Sequence, residues 1–149
     1  MTYGGLKSLV AGLLIGDNVI PKDDAVMKSL LAYAFNMIAE KAEALRLLTM
    51  NNTDDILRMG PGEYLIRTPR IPETDDEELD IDNELCFVAG RYIAAMLSKE
   101  KIKLHQDYGD DAILRYNGKV YQILEKVQIE KDRLAEDGCC NQISGSLSC

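Results

Sequence analysis

Tryptophan is absent, phenylalanine occurs only twice and histidine once, at His105. With a single histidine there is no second imidazole at metal-ligand spacing, and no serine or cysteine stands in the strand-to-helix elbow that nucleophilic catalysis would need. Aromatics make up 6% of the chain while Leu, Ile, Ala and Met are plentiful, a mixture that favours helix packing over a β-sandwich core. Basic charge is also scarce: 17 Lys and Arg stand against 25 Asp and Glu, with a pI near 4.7. That balance excludes a surface that grips nucleic acid by neutralising phosphates. No apolar run approaches the ~18 residues that would span a bilayer, and no charged start leads into an apolar stretch with a small-residue cleavage site. The expectation is a soluble protein that stays inside the cell that makes it. None of the four cysteines forms a C-x-x-C pair. Cys86 falls inside a helical apolar pattern and reads as a small core hydrophobe, and Cys139, Cys140 and Cys149 lie in a polar end.

What the chain does have is localised acidity. Seven carboxylates fall between Asp75 and Glu84, so nearly all of the formal charge of -8 sits there and the remainder is close to neutral. The length of 149 residues suits one domain with a real core. The expected division is a helical domain over 1–137 and a flexible tail over 138–149.

Apolar positions Tyr3, Leu6, Leu9, Val10, Leu13 and Leu14 predict a short first helix, ended by Gly16-Asp17-Asn18. After Pro21, Met27, Leu30, Leu31, Ala34, Ile38, Ala42, Leu45 and Leu48 predict a second helix reaching about Met50, a rod of roughly 40 Å at ~1.5 Å per residue. Ile56 to Met59 and Tyr64 to Arg67 flank Gly60-Pro61-Gly62 as a small hairpin at about 55–68 would. Pro69 and Pro72 then make an extended connector. Asp80 or Asp82 caps a third helix with the stripe Leu85, Val88, Ala89, Tyr92, Ile93, Met96 and Leu97. A final helix runs to about Glu136 on Leu104, Tyr108, Ala112, Tyr116, Val120, Ile123 and Val127, weakened at Gly109 and Asn117-Gly118. The fold class is therefore mainly α: a bundle of about four helices, two of them long, with a β-hairpin inserted between the second and third.

The acidic run invites a calcium reading, but taking Asp80, Asp82 and Glu84 as ligands puts Leu85 where an EF-hand needs glycine. A solvated, helix-capping connector is the simpler account. Gly60-Pro61-Gly62 lacks the spacing of a phosphate loop and reads as a tight turn. The tyrosines on the last two helices read as half-buried packing residues with wet hydroxyls, and His105 as an amphipathic surface position. Arg58, Arg67 and Arg70 surround the hairpin. They are either solubilising charges or partners for the acidic connector of an adjacent copy. No catalytic group, cofactor or metal site is expected.

The order of elements resembles the head-to-tail adaptor, or connector, proteins of tailed bacteriophages. The resemblance spans Leu6 to about Leu134. It is carried by the long second helix, the hairpin ending Tyr64-Leu65-Ile66-Arg67-Thr68-Pro69, the acidic lead-in from Pro72 to Ile81, the stripe Leu85 to Leu97, and Tyr116-Asn117 in the last helix. It implies a virion structural protein rather than an enzyme. The protein would form a ring of about twelve copies between the portal protein and the tail or further neck proteins. DNA would pass through that ring without specific binding. On this reading Arg58, Tyr64, Ile66, Arg67 and Arg70 are candidates for the subunit, portal or tail interface. Asp75, Asp76, Glu77, Glu78, Asp80 and Asp82 would line the lumen or meet a neighbouring subunit. The alternatives are a cytoplasmic helical regulator that takes a partner helix between its two long helices, and a small enzyme or cation-binding protein using the acidic connector.

Overall fold

A computed structural model of the chain describes residues 1–16, 20–46, 56–59 and 65–142. The protein is mainly helical, with α1 (Tyr3–Leu13), α2 (Asp24–Lys41), α3 (Asn83–Leu97) and α4 (Ile102–Gln142). Two short strands, β1 (Ile56–Met59) and β2 (Leu65–Arg67), pair antiparallel with Arg58 opposite Ile66 and Met59 opposite Leu65. The turn expected between them, Gly60-Pro61-Gly62, lies outside the described residues, as does the chain from 143 onward. By compactness the chain divides into two units, Met1–Asn117 and Gly118–Cys149.

In the first unit α1 and α2 both pack on α3. Thr2 starts α1, its hydroxyl accepting the Gly5 N–H at 3.0 Å, and the three- and four-residue spacing of Tyr3, Leu6 and Val10 then buries one stripe. α3 is buried on most of its circumference because small residues let its neighbours approach: Ala89, Gly90, Ala94 and Ala95 are all buried. A Cβ at Gly90 would stand 2.7 Å from Leu9 Cδ2, and one at Gly109 of α4 would stand 2.7 Å from Tyr92 Cε1. Gly109 therefore does not weaken α4; it seats the Tyr92 ring.

Two long helices were expected, and α4 alone is long. α2 ends at Lys41 instead of near Met50, and its 18 residues span about 27 Å. The cause is tertiary. Asn117 of α4 donates from Nδ2 to the Lys41 carbonyl at 3.0 Å and accepts the Glu43 N–H on Oδ1 at 2.8 Å, taking both backbone groups out of the helical ladder. Asp82 N–H then bonds the Leu45 carbonyl at 2.9 Å, holding 42–46 as a non-helical strap whose Ala42, Ala44 and Leu45 are buried.

Tyrosine hydroxyls tie the helices together. Tyr92 donates to Asp110 Oδ1 at 2.6 Å, and Lys41 Nζ reaches the same oxygen at 2.9 Å, so α2, α3 and α4 meet at one carboxylate. Tyr116 donates to Asp82 Oδ2 at 2.7 Å, binding α4 to the start of α3. Asp82 occupies the N-cap position, but its side chain makes no cap bond. Both rings are buried rather than half-wet. Burial, reinforced by the carboxylate each hydroxyl contacts, pushes both phenols above their ordinary value. The Tyr92 hydroxyl, and then Lys41, hold the Asp110 carboxyl below its ordinary value.

The buried face of α4 in the first unit is His105, Gly109, Ile113 and Tyr116. Leu104 and Tyr108, expected on that face, are 47% and 52% exposed. The expected stripe advanced four residues per step, and each such step overshoots a turn by about 40°, so it could not hold one face. The same rotation buries His105, expected at the surface, with its Nδ1 3.1 Å from Arg91 Nη1. Cys86 is buried as expected, and burial pushes its thiol up to about 11.

The second unit is the remainder of α4. Val120 is buried and Ile123 and Leu124 are half-buried, whereas every side chain from Glu125 to Glu136 is exposed. In that exposed stretch Arg133 pairs with Glu130 at 2.5 Å, and Gln128 donates to Asp132 at 2.9 Å. The helix continues past the expected start of the tail at 138 as far as Gln142.

Candidate functional site

The connector 68–82 is non-helical: Pro69 and Pro72, both buried, oppose helix at its start, and the chain turns at Asp75-Asp76, where the Glu77 N–H bonds the Thr74 carbonyl at 3.3 Å. Its acidic part is fixed to the start of α1. The Tyr3 and Gly4 N–H groups bond the Glu77 and Asp75 carbonyls at 2.9 Å each, and Leu79 N–H bonds the Met1 carbonyl at 2.9 Å. Orphan donors of the α1 N-terminus are thereby satisfied by backbone instead of by a capping box. The Met1 ammonium also bonds Asn83 Oδ1. Leu79 and Ile81 are buried and anchor the end of the acidic run to the core.

These carboxylates are not equivalent. Asp75 pairs with Lys7 at 2.6 Å, and this contact raises the Lys7 ammonium above its ordinary value. Lys7 also lies 3.6 Å from Asp24, which accepts the Tyr3 hydroxyl at 2.8 Å. That hydroxyl holds the Asp24 carboxyl low, while burial pushes the Tyr3 phenol up. Asp80 is partly buried, 3.6 Å from Arg46, and accepts the Arg70 N–H at 2.8 Å. Asp82 accepts from Tyr116. Asp80 and Asp82, expected in a lumen or at a neighbour, are thus committed inside their own chain. Asp76, Glu77 and Glu78 are exposed. Glu77 accepts the Glu73 N–H at 3.1 Å, and none of the three makes an ion pair among the described residues.

Of the other candidates, Ile66 is buried in its own chain and is not offered to a partner. Arg58 and Arg67 lie on β1 and β2. Tyr64 is outside the described residues. Arg70 is exposed and lines an open groove of about 510 Å³ with Ile71, Pro72, Glu73, Glu77, Glu78 and Asp80. Four carboxylates against one guanidinium leave that groove acidic.

A second groove, of about 230 Å³, was not anticipated. Leu9 and Leu13 of α1, Phe87, Val88 and Arg91 of α3, and Tyr108, Ala112 and Arg115 of α4 line it. Phe87 and Tyr108 are more than half exposed. The Arg91 guanidinium stacks 4.4 Å from the Tyr108 ring centroid and bonds His105 on its other side, so the cation is held at the groove wall. Arg115 is exposed, and neither arginine makes an ion pair among the described residues. Tyr108 was assigned to the buried stripe and Phe87 to no pattern. A 3.6-residue period phased on Ile113 and Tyr116 would have left Tyr108 outside the core.

Among the described residues no group of three or more His, Cys, Asp or Glu could hold a metal ion, and no helix is long and apolar enough to cross a membrane. Comparison with protein-family models, with curated proteins and with solved structures gives no match to this chain.

Proposed function

We propose that this protein is a structural adaptor of a tailed-bacteriophage neck, assembling as a ring between the portal and the tail and acting by contact alone. The observation that carries the reading is the coexistence, on one small helical unit, of two open grooves of opposite character. One is acidic, at Glu73, Glu77 and Glu78; the other is apolar with arginines on its wall, at Phe87, Arg91, Tyr108 and Arg115. Different surfaces that match each other make heterologous contacts, and repetition of such a contact closes a ring when its rotation divides the full circle. The exposed apolar residues support the same reading, because Phe87, Tyr108 and Leu114 are each more than half exposed on the first unit. β1 and β2, taken as a hairpin at about 55–68, would be the element that docks on a neighbouring ring, since a two-stranded ribbon alone is marginal in water. Asp76, Glu77 and Glu78 would repel phosphates if they faced passing DNA.

The test is native mass spectrometry and cryo-electron microscopy of the full chain mixed with the portal protein encoded in the same genome. A stoichiometric ring on the portal is expected. A chain that never associates with portal overturns the reading.

The 230 Å³ groove also favours a second reading, a regulator that takes a partner segment there without self-association. A monomer that captures a host helix and ignores portal would establish it.

A further inference from the structure

Arg91 and Arg115 are conspicuous in a chain of net charge -8, because both line an apolar groove and neither is ion-paired among the described residues. A guanidinium beside desolvated apolar surface gains most from a carboxylate that arrives together with apolar cover. The chain's own acidic connector is held away from it. Glu77 and Asp75 are bonded through their backbone to Tyr3 and Gly4, at the start of α1, whereas the groove uses Leu9 and Leu13, about 7 to 14 Å farther along the helix axis. The two grooves share no residue.

We infer that the arginine-walled groove of one copy receives the acidic connector of a second copy, with Glu77 and Glu78 against Arg91 and Arg115 and the half-exposed Ile71 against the ring faces of Phe87 and Tyr108. The contact is head-to-tail, so each copy offers both halves. This inference names the subunit interface that the adaptor reading requires and rests on that reading for its biological setting. It also moves the basic half of the contact from Arg58, Arg67 and Arg70 to two arginines on α3 and α4. Arg91 is held by Tyr108 and His105 before any partner arrives, which lowers the ordering cost of binding.

Charge reversal in the full-length chain tests it, read by sedimentation velocity over a concentration series at low salt. Neither Arg115 nor Glu78 makes a side-chain hydrogen bond or ion pair among the described residues, so Arg115→Glu and Glu78→Arg should both fold, as circular dichroism will show. Each alone should weaken self-association at least about tenfold, as should raising salt to about 0.5 M. An equimolar mixture of the two variants should associate as wild type does, because each reversed groove then meets a reversed connector. Wild-type protein that stays monomeric throughout, or Arg115→Glu that associates as wild type does, overturns the inference. Portal co-sedimentation in parallel separates the two readings. Wild-type binding to portal with unaffected Arg115→Glu self-association removes only this interface, whereas no portal binding removes the adaptor reading whatever the copies do to one another.

Discussion

The two units of the chain are stabilised by different means. In Met1–Asn117 every helix is bonded to another by a side chain of remote sequence: Tyr3 to Asp24, Lys41 and Tyr92 to Asp110, Tyr116 to Asp82, Asn117 to the end of α2. From Glu125 through Glu136 every side chain is exposed, and Gln128–Asp132 and Glu130–Arg133 join residues four and three apart. The first unit is built around a buried core. Over 125–136 the second is an exposed helix in which propensity and local pairs, each contributing about 0.2–0.5 kcal/mol, give support. The contrast teaches that fold and extension can share one helix while obeying different energetics.

Truncation should separate the units most sharply. Ile93→Ala, at a fully buried position of α3, should cost about 3 kcal/mol in urea unfolding, whereas Leu134→Ala, 55% exposed, should stay within about 0.5 kcal/mol. Comparable losses at both positions would break the comparison, because Leu134 would then be part of a core.

Tyr116→Phe should cost about 1–2 kcal/mol at neutral pH, since Asp82 loses a buried donor. It also carries a pH signature. The Tyr116, Tyr92 and Tyr3 phenols are raised in the folded state, so their contribution is complete below the unfolded value of about 10 and declines as pH rises beyond it. Cys86, raised to about 11, acts in the same direction. Wild-type stability should therefore fall steeply above pH ~10, and Tyr116→Phe should flatten that slope. In acid the sign reverses: Asp110, held low by Tyr92 and Lys41, loses its contribution as pH drops below about 4. An unchanged alkaline slope in Tyr116→Phe would show that the hydroxyl does not act as argued.

Adjacent residues at the junction should then respond with opposite sign. Asn117→Ala should destabilise by about 1 kcal/mol, because the Lys41 carbonyl and Glu43 N–H lose their partner, and circular dichroism should show no compensating gain of helix in α2. Gly118→Ala should stabilise by about 0.5–1 kcal/mol, since a Cβ there meets nothing within 4 Å and glycine is a poor helix former. Two losses of equal size would mean that the space beside Gly118 is not open to a methyl group.

The sequence was most legible where one face decides the outcome. Tyr3, Leu6 and Val10, and the stripe from Leu85 to Ile93, are buried as their spacing implies. It was least legible where a distant group intervenes. Ala42 and Leu45 continue the apolar period of α2 and are indeed buried, yet they lie in a non-helical strap because Asn117 and Asp82 claim the backbone there. Charge behaved in the same way. The acidic run could be counted, but its division into Asp75, Asp80 and Asp82, engaged within the chain, and Asp76, Glu77 and Glu78, open to a partner, depends on where Lys7, Arg46 and Tyr116 arrive.

By itself, then, the sequence determined a mainly helical protein with a proline-stiffened acidic connector and a buried Cys86, because periodicity, imino rings and local charge act over a few residues. Tertiary structure alone decided the end of α2, the face that α4 presents and the arginine-walled groove between α1, α3 and α4. Each of those depends on side chains tens of residues apart reaching the same backbone carbonyl, carboxylate or ring.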